Sequence, residues 1–205
     1  MNKMIISPHV DDEILGCGGM LDENTFVLHC GCAENQQHGH KALTRAERID
    51  EFCQVADEIH LSFHLLHHPV NRYNVSDLIP DIELYINNVR PDQIYIPHPS
   101  YNQDHRAVYE ACLTALRPHD INFFVKKVLI YEQPHVAFWS HNYRAFQPNH
   151  FKPIDIEKKN HLYSMIATQV RSFRSPAHVR AIAAMRGAQS NCEYAEAFEI
   201  IRWID

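Results

Sequence analysis

The chain has 205 residues, of which 45% are hydrophobic and 21% are charged, a composition that suits one α/β domain with a buried core. Its formal net charge of −6 at pH 7 argues against nucleic acid or an anionic membrane as a partner. No apolar run reaches the roughly 18 residues of a membrane helix. The N-terminus shows no signal-peptide pattern, so we expect a cytoplasmic protein without an integral membrane segment. The 16 histidines prompt a search for a metal site.

Short apolar runs alternate with segments of helical period along most of the chain. A capping box formed by Thr44 and Glu47 predicts where one of these helices begins. In chain order the pattern predicts a strand at 4–6, a strand at 25–29, a helix from Thr44, a strand within 59–65, a helix over 78–89, a strand at 93–96, a helix over 105–116 and a strand at 125–131.

This alternation predicts right-handed βαβ crossovers, and therefore an α/β fold with a Rossmann-like, doubly wound, mostly parallel sheet of about five strands flanked by helices. We expect residues 1–205 to form a single domain. Within it, residues 134–205 are predicted to form a pocket wall or lid, from an aromatic segment at 134–149, and C-terminal helices. Because such sheets bind ligands outside the carboxyl ends of their strands, the segments after the first and fourth strands are where a site is expected.

Two imidazoles and one carboxylate are expected to meet at these strand ends. His9 and Asp12 follow the first strand, and His105 follows the fourth. Three protein ligands with one open position is the ligand count of a catalytic zinc site, at which a water molecule acquires a lowered pKa. The same three ligands also suit Fe(II). Asp11, beside Asp12, is expected to act as the general base that takes a proton from this water.

The same acids permit two other interpretations. Asp and Glu at a helix start often only cap the helix and complement its dipole. Two acids after the first strand also occur in phosphoacceptor receiver domains, which need an Asp after the third strand and a Lys after the fifth. Here those strands end in Phe-His-Leu-Leu at 63–66 and Tyr-Glu-Gln at 131–133, so the receiver interpretation fails.

Several motifs resemble those of a known family. Residues 7–13, Ser-Pro-His-Val-Asp-Asp-Glu, with glycines at 16, 18 and 19, resemble the signature of the PIG-L/LmbE-like N-acetylglucosaminyl deacetylases. Asp104-His105-Arg106 matches the second half of another motif of that family. Weaker matches follow in the family's order over nearly the whole chain, namely Arg48 with Glu51, Lys159 with Thr168-Gln169, Arg186-Gly187 and residues 194–198.

The resemblance implies a zinc-dependent hydrolase that removes an acetyl group from an amino-sugar nitrogen, on a Rossmann-like fold. It implies His9, Asp12 and His105 as zinc ligands and Asp11 as general base, the roles that the strand ends also indicate. Arg48 matches a residue that helps to hold the sugar, with an ordinary solvated helix arginine as the alternative. A small-molecule amino sugar is then the expected substrate, and a homo-oligomer is left open.

The sequence departs from the family where many members carry His-Pro-Asp-His. Asn102 takes the place of the first of those histidines, and an amide donates a hydrogen bond but cannot donate a catalytic proton. Asn102 and Tyr101 are therefore candidates for contacting the substrate carbonyl. Proton donation is expected to pass to Asp11 or to a histidine from elsewhere, such as His135.

We therefore expect an N-deacetylase of an amino sugar or its conjugate, in glycan or natural-product biosynthesis. One alternative is the same chemistry on another amide, such as a non-acetyl amide or a thiol-sugar conjugate. The other is a histidine-rich metal-binding protein without turnover, which would use additional ligands such as His38, His40, His67 and His68.

Overall fold

The structure, a computed structural model, describes residues 2–32, 44–139 and 144–205, and a seven-stranded sheet runs through them. The strands are β1 (Lys3–Ser7), β2 (Thr25–His29), β3 (Ser62–Leu65), β4 (Gln93–Pro97), β5 (Lys127–Tyr131), β6 (His150–Pro153) and β7 (Ala195–Trp203). The helices are α1 (Asp12–Cys17), α2 (Arg45–Glu58), α3 (Val75–Val89), α4 (Gln103–Ala115), α5 (Pro134–Phe138), α6 (Ile156–Met165) and α7 (Pro176–Ser190).

The sheet has the strand order β3-β2-β1-β4-β5-β7-β6. Strands β1 to β5 are parallel, and β7 lies antiparallel between β5 and β6. The direction of chain progression reverses between β1 and β4, which are hydrogen-bonded neighbours. The segments that follow these two strands therefore meet at the switch point, where doubly wound sheets bind their ligands.

The predicted α/β class and mostly parallel sheet are confirmed, but the predicted number of about five strands is wrong. Residues 134–205 supply β6 and β7 as well as helices. β6 has four residues and includes Lys152 and Pro153, so its strand pattern is weak. β7 is buried over its first five positions, and these include Glu196 and Glu199. Buried acids hide the apolar pattern by which a strand is recognised.

Helices cover both faces of the sheet, as the doubly wound prediction requires. Because successive strand residues point to opposite faces, Ile5 packs on one side with residues of α1, α2, α6 and α7. Met4 and Ile6 pack on the other side with residues of α3 and α4. None of the described helices is long and apolar enough to cross a membrane.

Helix starts bring polar groups to the carboxyl edge of the sheet. The predicted capping box of α2 is present, since Thr44 Oγ1 accepts from Glu47 N at 3.2 Å and Thr44 N donates to the Glu47 carboxylate at 2.9 Å. α1 starts at Asp12, five residues after β1 ends, and α4 starts six residues after β4 ends. Short connections of this kind hold the first turns of both helices close to the strand ends.

Candidate active site

The three residues that the sequence places at the switch point lie together. One ligand atom each from His9, Asp12 and His105 falls within 4.8 Å of the others, and all three residues are buried. Asp12 Oδ2 is 3.1 Å from His9 Nδ1 and 3.2 Å from His105 Nε2. Within the described residues, this is the only group of three or more His, Cys, Asp or Glu that is close enough to hold a metal ion.

The donor set fits a divalent cation. Two imidazoles and one carboxylate suit zinc or iron(II), and they converge from two elements that the sheet holds at a fixed separation. Burial alone would raise the pKa of Asp12, but the neighbouring His105 and His9 outweigh this and hold its pKa well below the usual range. Asp12 is therefore ionised, as a metal ligand must be.

Asp104 orients His9 from behind the cluster. Its Oδ2 lies 2.9 Å from His9 Nε2 and accepts the backbone N–H of Asn71 at 2.7 Å. Burial alone would lower the pKa of His9, but Asp104 and Asp12 outweigh it and raise the pKa to about 9. A metal ion would displace the proton from Nδ1, while Nε2–H stays donated to Asp104, so the imidazole would present Nδ1 to the cluster. The sequence search matched Asp104 to a motif but gave it no role.

Glu13 supports the β1–α1 turn from below. Its Oε2 accepts Ser7 Oγ at 2.8 Å and the backbone N–H of Asp11 at 3.3 Å, and it lies 3.0 Å from His29 Nε2. Glu13 and His29 are both fully buried. These contacts set the path of the backbone that presents His9, Asp11 and Asp12.

Asp11 points into the cleft between two arginines. Arg174 Nη1 lies 2.8 Å from Asp11 Oδ2, and Arg48 Nη2 lies 4.0 Å from the same oxygen. Burial alone would lower the pKa of Arg174, but the charge of Asp11 raises it. Arg174 was not predicted from the sequence. It lies in the 3₁₀ turn Ser172–Arg174, far along the chain from Asp11 and outside any motif.

Arg48 is 3% exposed, which contradicts the alternative of an ordinary solvated helix arginine. Its Nη2 also donates to the carbonyl oxygen of Val10 at 3.4 Å, so it contacts the turn that holds the acids. Arg48 and Arg174 therefore bring positive charge to the same oxygen of Asp11 from two different elements.

A cleft of about 210 Å³ opens over the cluster. Asn102 and Tyr101 line it, together with Arg48, Arg174 and His135. Asn102 is also the N-cap of α4, where its Oδ1 accepts from Asp104 N at 2.9 Å. Only its amide N–H₂ group is then left for a ligand. Tyr101 is 41% exposed at the rim of the cleft.

His135 also lines the cleft, from the first turn of α5. Its ring centroid is 5.3 Å from that of His105 and 5.1 Å from that of Tyr101. Burial and the nearby His105 lower the pKa of His135 to about 3, so the ring is neutral near pH 7. In this form the ring can donate a hydrogen bond from one of its two nitrogens.

The histidines proposed as additional metal ligands do not join the cluster where the structure describes them. His67 Nδ1 lies 2.7 Å from Arg45 Nη2, and His68 Nε2 lies 2.8 Å from Asp81 Oδ2. His38 and His40 lie outside the described residues.

Residues 4–116 match the family model described as PIG-L: GlcNAc-PI de-N-acetylase. No sequence among the curated proteins matches the chain.

Solved structures with the same fold include proteins with different activities. N,N'-diacetylchitobiose deacetylase from Pyrococcus horikoshii superposes with a TM-score of 0.78 at 17% identity, over 98% of this chain and 84% of that one. A conserved protein from Thermus thermophilus gives 0.76 at 22% identity, over 100% and 96%. The 4-carboxy-2-hydroxymuconate hydratase of Pseudomonas putida gives 0.77 at 18% identity, over 100% and 98%. At these sequence identities, the similarity shows a shared fold and does not assign an activity.

Proposed function

Because the chain belongs to the PIG-L family, whose model matches residues 4–116, we propose that it is a metal-dependent hydrolase that removes the N-acetyl group from an amino sugar or a sugar conjugate. The observation that carries this proposal is the meeting of His9, Asp12 and His105 at the switch point, with Asp11 in the same cleft. The named activity of the Pyrococcus horikoshii structure, a deacetylase, supports it.

We propose zinc as the metal, held by His9, Asp12 and His105, with iron(II) as the alternative at the same ligands. A divalent ion bound there would polarise a carbonyl group and lower the pKa of a water molecule. The remaining chemistry belongs to residues of this chain, and Asp11 is the first of them.

Asp11 has the position of a general base. Its Oδ2 is held by Arg174 at 2.8 Å, which fixes the carboxylate and leaves Oδ1 for a water molecule in the cleft. In the proposed reaction Asp11 takes a proton from water while the water oxygen bonds to the amide carbon. Asp11 then returns this proton to the nitrogen as the carbon–nitrogen bond breaks. The products are acetic acid and the free amine, which exchange a proton in water to give acetate and the protonated amine.

Arg48, Tyr101 and Asn102 are the proposed substrate contacts. All three line the cleft beside the acids, and each carries a hydrogen-bond donor. The buried Arg48 suits a polar substituent of the sugar, whereas the exposed Tyr101 suits a group at the mouth of the cleft.

The fold alone does not select amide hydrolysis, because one of the structural neighbours is named as a hydratase. The decisive experiment measures amine release from a panel of N-acetyl amino sugars, nucleotide sugars, lipid-linked sugars and thiol-sugar conjugates, using zinc-reconstituted protein. We expect release from at least one N-acetyl amino sugar. Amine release only from a non-acetyl or thiol-sugar amide would favour the alternative amidase. If no compound of the panel released an amine, the proposal would be contradicted.

Asp11→Asn separates catalysis from metal binding. Because Asp11 is not a ligand in the proposed site, the variant should bind one zinc per chain and lose turnover by about 10²-fold or more. Elemental analysis and the amine-release assay measure the two properties on the same sample. Normal turnover in this variant would show that Asp11 is not the base.

His105→Ala tests the ligand set directly. Removal of one of three ligands should lower the zinc content of the dialysed protein well below one per chain. His68→Ala is a matched control, because His68 is a histidine bonded to a carboxylate outside the cluster. Zinc content unchanged by His105→Ala would remove His105 from the site, and loss caused by His68→Ala would favour the histidine-rich metal-binding protein.

A further inference from the structure

The hydrogen-bond donor for the substrate carbonyl can be identified from the far wall of the cleft, an inference that rests on the proposed function. Attack on an amide carbon places negative charge on the carbonyl oxygen, and fixed N–H groups aimed at that oxygen contribute strongly to catalysis. Arg174 is paired with Asp11, and Asn102, whose Oδ1 caps α4, keeps its amide N–H₂ group for another part of the substrate. His135 faces the same space with a ring whose proton position can be deduced.

The position of His135 is set by its neighbours. Gln133, two residues earlier, donates from Nε2 to the carbonyl oxygen of Asp12 at 2.9 Å, which ties the start of α5 to α1. The His135 ring meets His105 edge-on, with an interplanar angle of 72° and a centroid distance of 5.3 Å. A substrate carbonyl bound at the proposed metal ligands would therefore lie close to the His135 ring.

Ser100 determines which ring nitrogen carries the proton. Ser100 Oγ accepts the backbone N–H of Asn102 at 3.2 Å and lies 3.0 Å from His135 Nε2. The hydroxyl hydrogen of Ser100 needs an acceptor, and among the described residues His135 Nε2 is the one in contact. Donation from the Ser100 hydroxyl to Nε2 satisfies this hydrogen, and the ring proton of His135 then lies on Nδ1.

We infer that His135 is a catalytic residue whose Nδ1–H donates a hydrogen bond to the carbonyl oxygen of the substrate as that oxygen becomes negative. The proton stays on the ring throughout, so no bond forms or breaks at His135. Ser100 is a positioning residue, since it acts through the tautomer of His135. In this arrangement a residue of α5 supplies the donor, and α4 supplies the metal ligand opposite it.

The tautomer is measurable without any substrate. In long-range ¹H–¹⁵N spectra of zinc-reconstituted protein, the His135 signals, assigned by their loss in His135→Gln, should show the pattern of a ring protonated at Nδ1. Ser100→Ala should shift that pattern toward a mixture of tautomers. A ring protonated at Nε2 in the unmodified protein would overturn the inference.

Acetate supplies a second readout that does not depend on finding the sugar, because its carboxylate resembles the developing oxyanion. Acetate should shift the Nδ1 resonance of His135, and His135→Phe should weaken acetate binding at least fivefold with zinc content unchanged. An unshifted resonance at saturating acetate would overturn the inference.

Kinetics complete the test once the panel yields a substrate. His135→Phe should lower kcat by about 10²- to 10³-fold with KM changed less than threefold, and His135→Gln, whose amide retains an N–H, should lie between this variant and the unmodified enzyme. His161→Gln, which replaces an exposed histidine of α6, is the control and should keep full activity.

A His135→Phe enzyme within twofold of normal kcat would refute the role of His135 while leaving the proposed function intact. If the unmodified enzyme released no amine from any compound of the panel, the proposed function would be refuted. The tautomer and acetate measurements would still test the role of His135.

Discussion

Asp104→Asn tests how much of the metal affinity comes from a residue that is not a ligand. Asp104 is fully buried, and its carboxylate accepts His9 Nε2–H and the backbone N–H groups of Asn71 and Tyr73. Burial alone would raise the pKa of Asp104, but these donors lower it, so the group is a carboxylate. Asparagine keeps the shape and removes the charge, and its carbonyl oxygen can take the position of Oδ2, which both His9 and Asn71 contact.

The expected loss follows from this geometry. An uncharged partner makes His9 a weaker ligand and loosens its orientation, and changes of this kind lower metal affinity by about 10- to 100-fold. This corresponds to about 1.4–2.8 kcal/mol. Competition with a chromophoric zinc chelator measures the affinity, and far-UV circular dichroism of the metal-free protein checks that the fold is kept.

Asp81→Asn is the matched control for this variant. It alters the same kind of pair, His68 Nε2 to a carboxylate oxygen at 2.8 Å, outside the cluster and partly exposed. Zinc affinity should be unchanged in this control, and stability should fall by less than about 1 kcal/mol. If folded Asp104→Asn bound zinc within twofold of the unmodified protein, the orienting role of Asp104 would be refuted.

Two further predictions concern stability. His98 is fully buried, and within the described residues neither of its ring nitrogens has a hydrogen-bond partner. Burial, with the charges of Arg144 and His105, lowers its pKa to about 4. In the unfolded chain this histidine has a pKa near 6.5 and binds a proton at a pH at which the folded chain does not. The free energy of unfolding therefore falls as the pH drops from about 6.5 to 4, by at most about 1.4 kcal/mol per pH unit. His98→Leu should flatten this slope in urea unfolding at pH 7.5 and 5, and an unchanged slope would assign the acid sensitivity elsewhere. Gly187→Ala should destabilise by about 1–3 kcal/mol, because the added Cβ would lie 2.4 Å from the carbonyl oxygen of Glu193, and a melting temperature equal to that of the unmodified protein would contradict this.

The parallel part of the sheet was predictable because four of its five strands, β1, β2, β4 and β5, are mostly buried on both faces and read as short apolar runs. The two C-terminal strands were not, since Glu196 and Glu199 occupy buried positions there. Glu196 pairs with Lys159 at 2.7 Å, and Glu199 pairs with Arg144 at 2.5 Å. Partners this distant in the chain make a charged position compatible with the interior, and no local pattern reveals them.

The residues of the candidate site were likewise predictable only in part. His9, Asp11 and Asp12 follow one strand and His105 follows its neighbour, so the rule for strand ends was enough to bring them together. Arg174 and the orienting role of Asp104 depend on how side chains meet across the cleft. Asn102 has a local role as the N-cap of α4, and its spacing from His105, the proposed metal ligand, did not reveal that role.

The boundary of the family match suggests how chemistry and selectivity are distributed. The matched residues 4–116 contain every proposed metal ligand, Asp11 and Arg48, whereas His135 and Arg174 lie beyond them. The proposed metal ligands follow two adjacent parallel strands, a geometry that tolerates little change. The opposite wall comes from α5 and a 3₁₀ turn, which can change without disturbing the sheet. Substitutions in that wall should therefore alter kcat and substrate choice more readily than metal content, and zinc analysis of the His135 variants measures the separation directly.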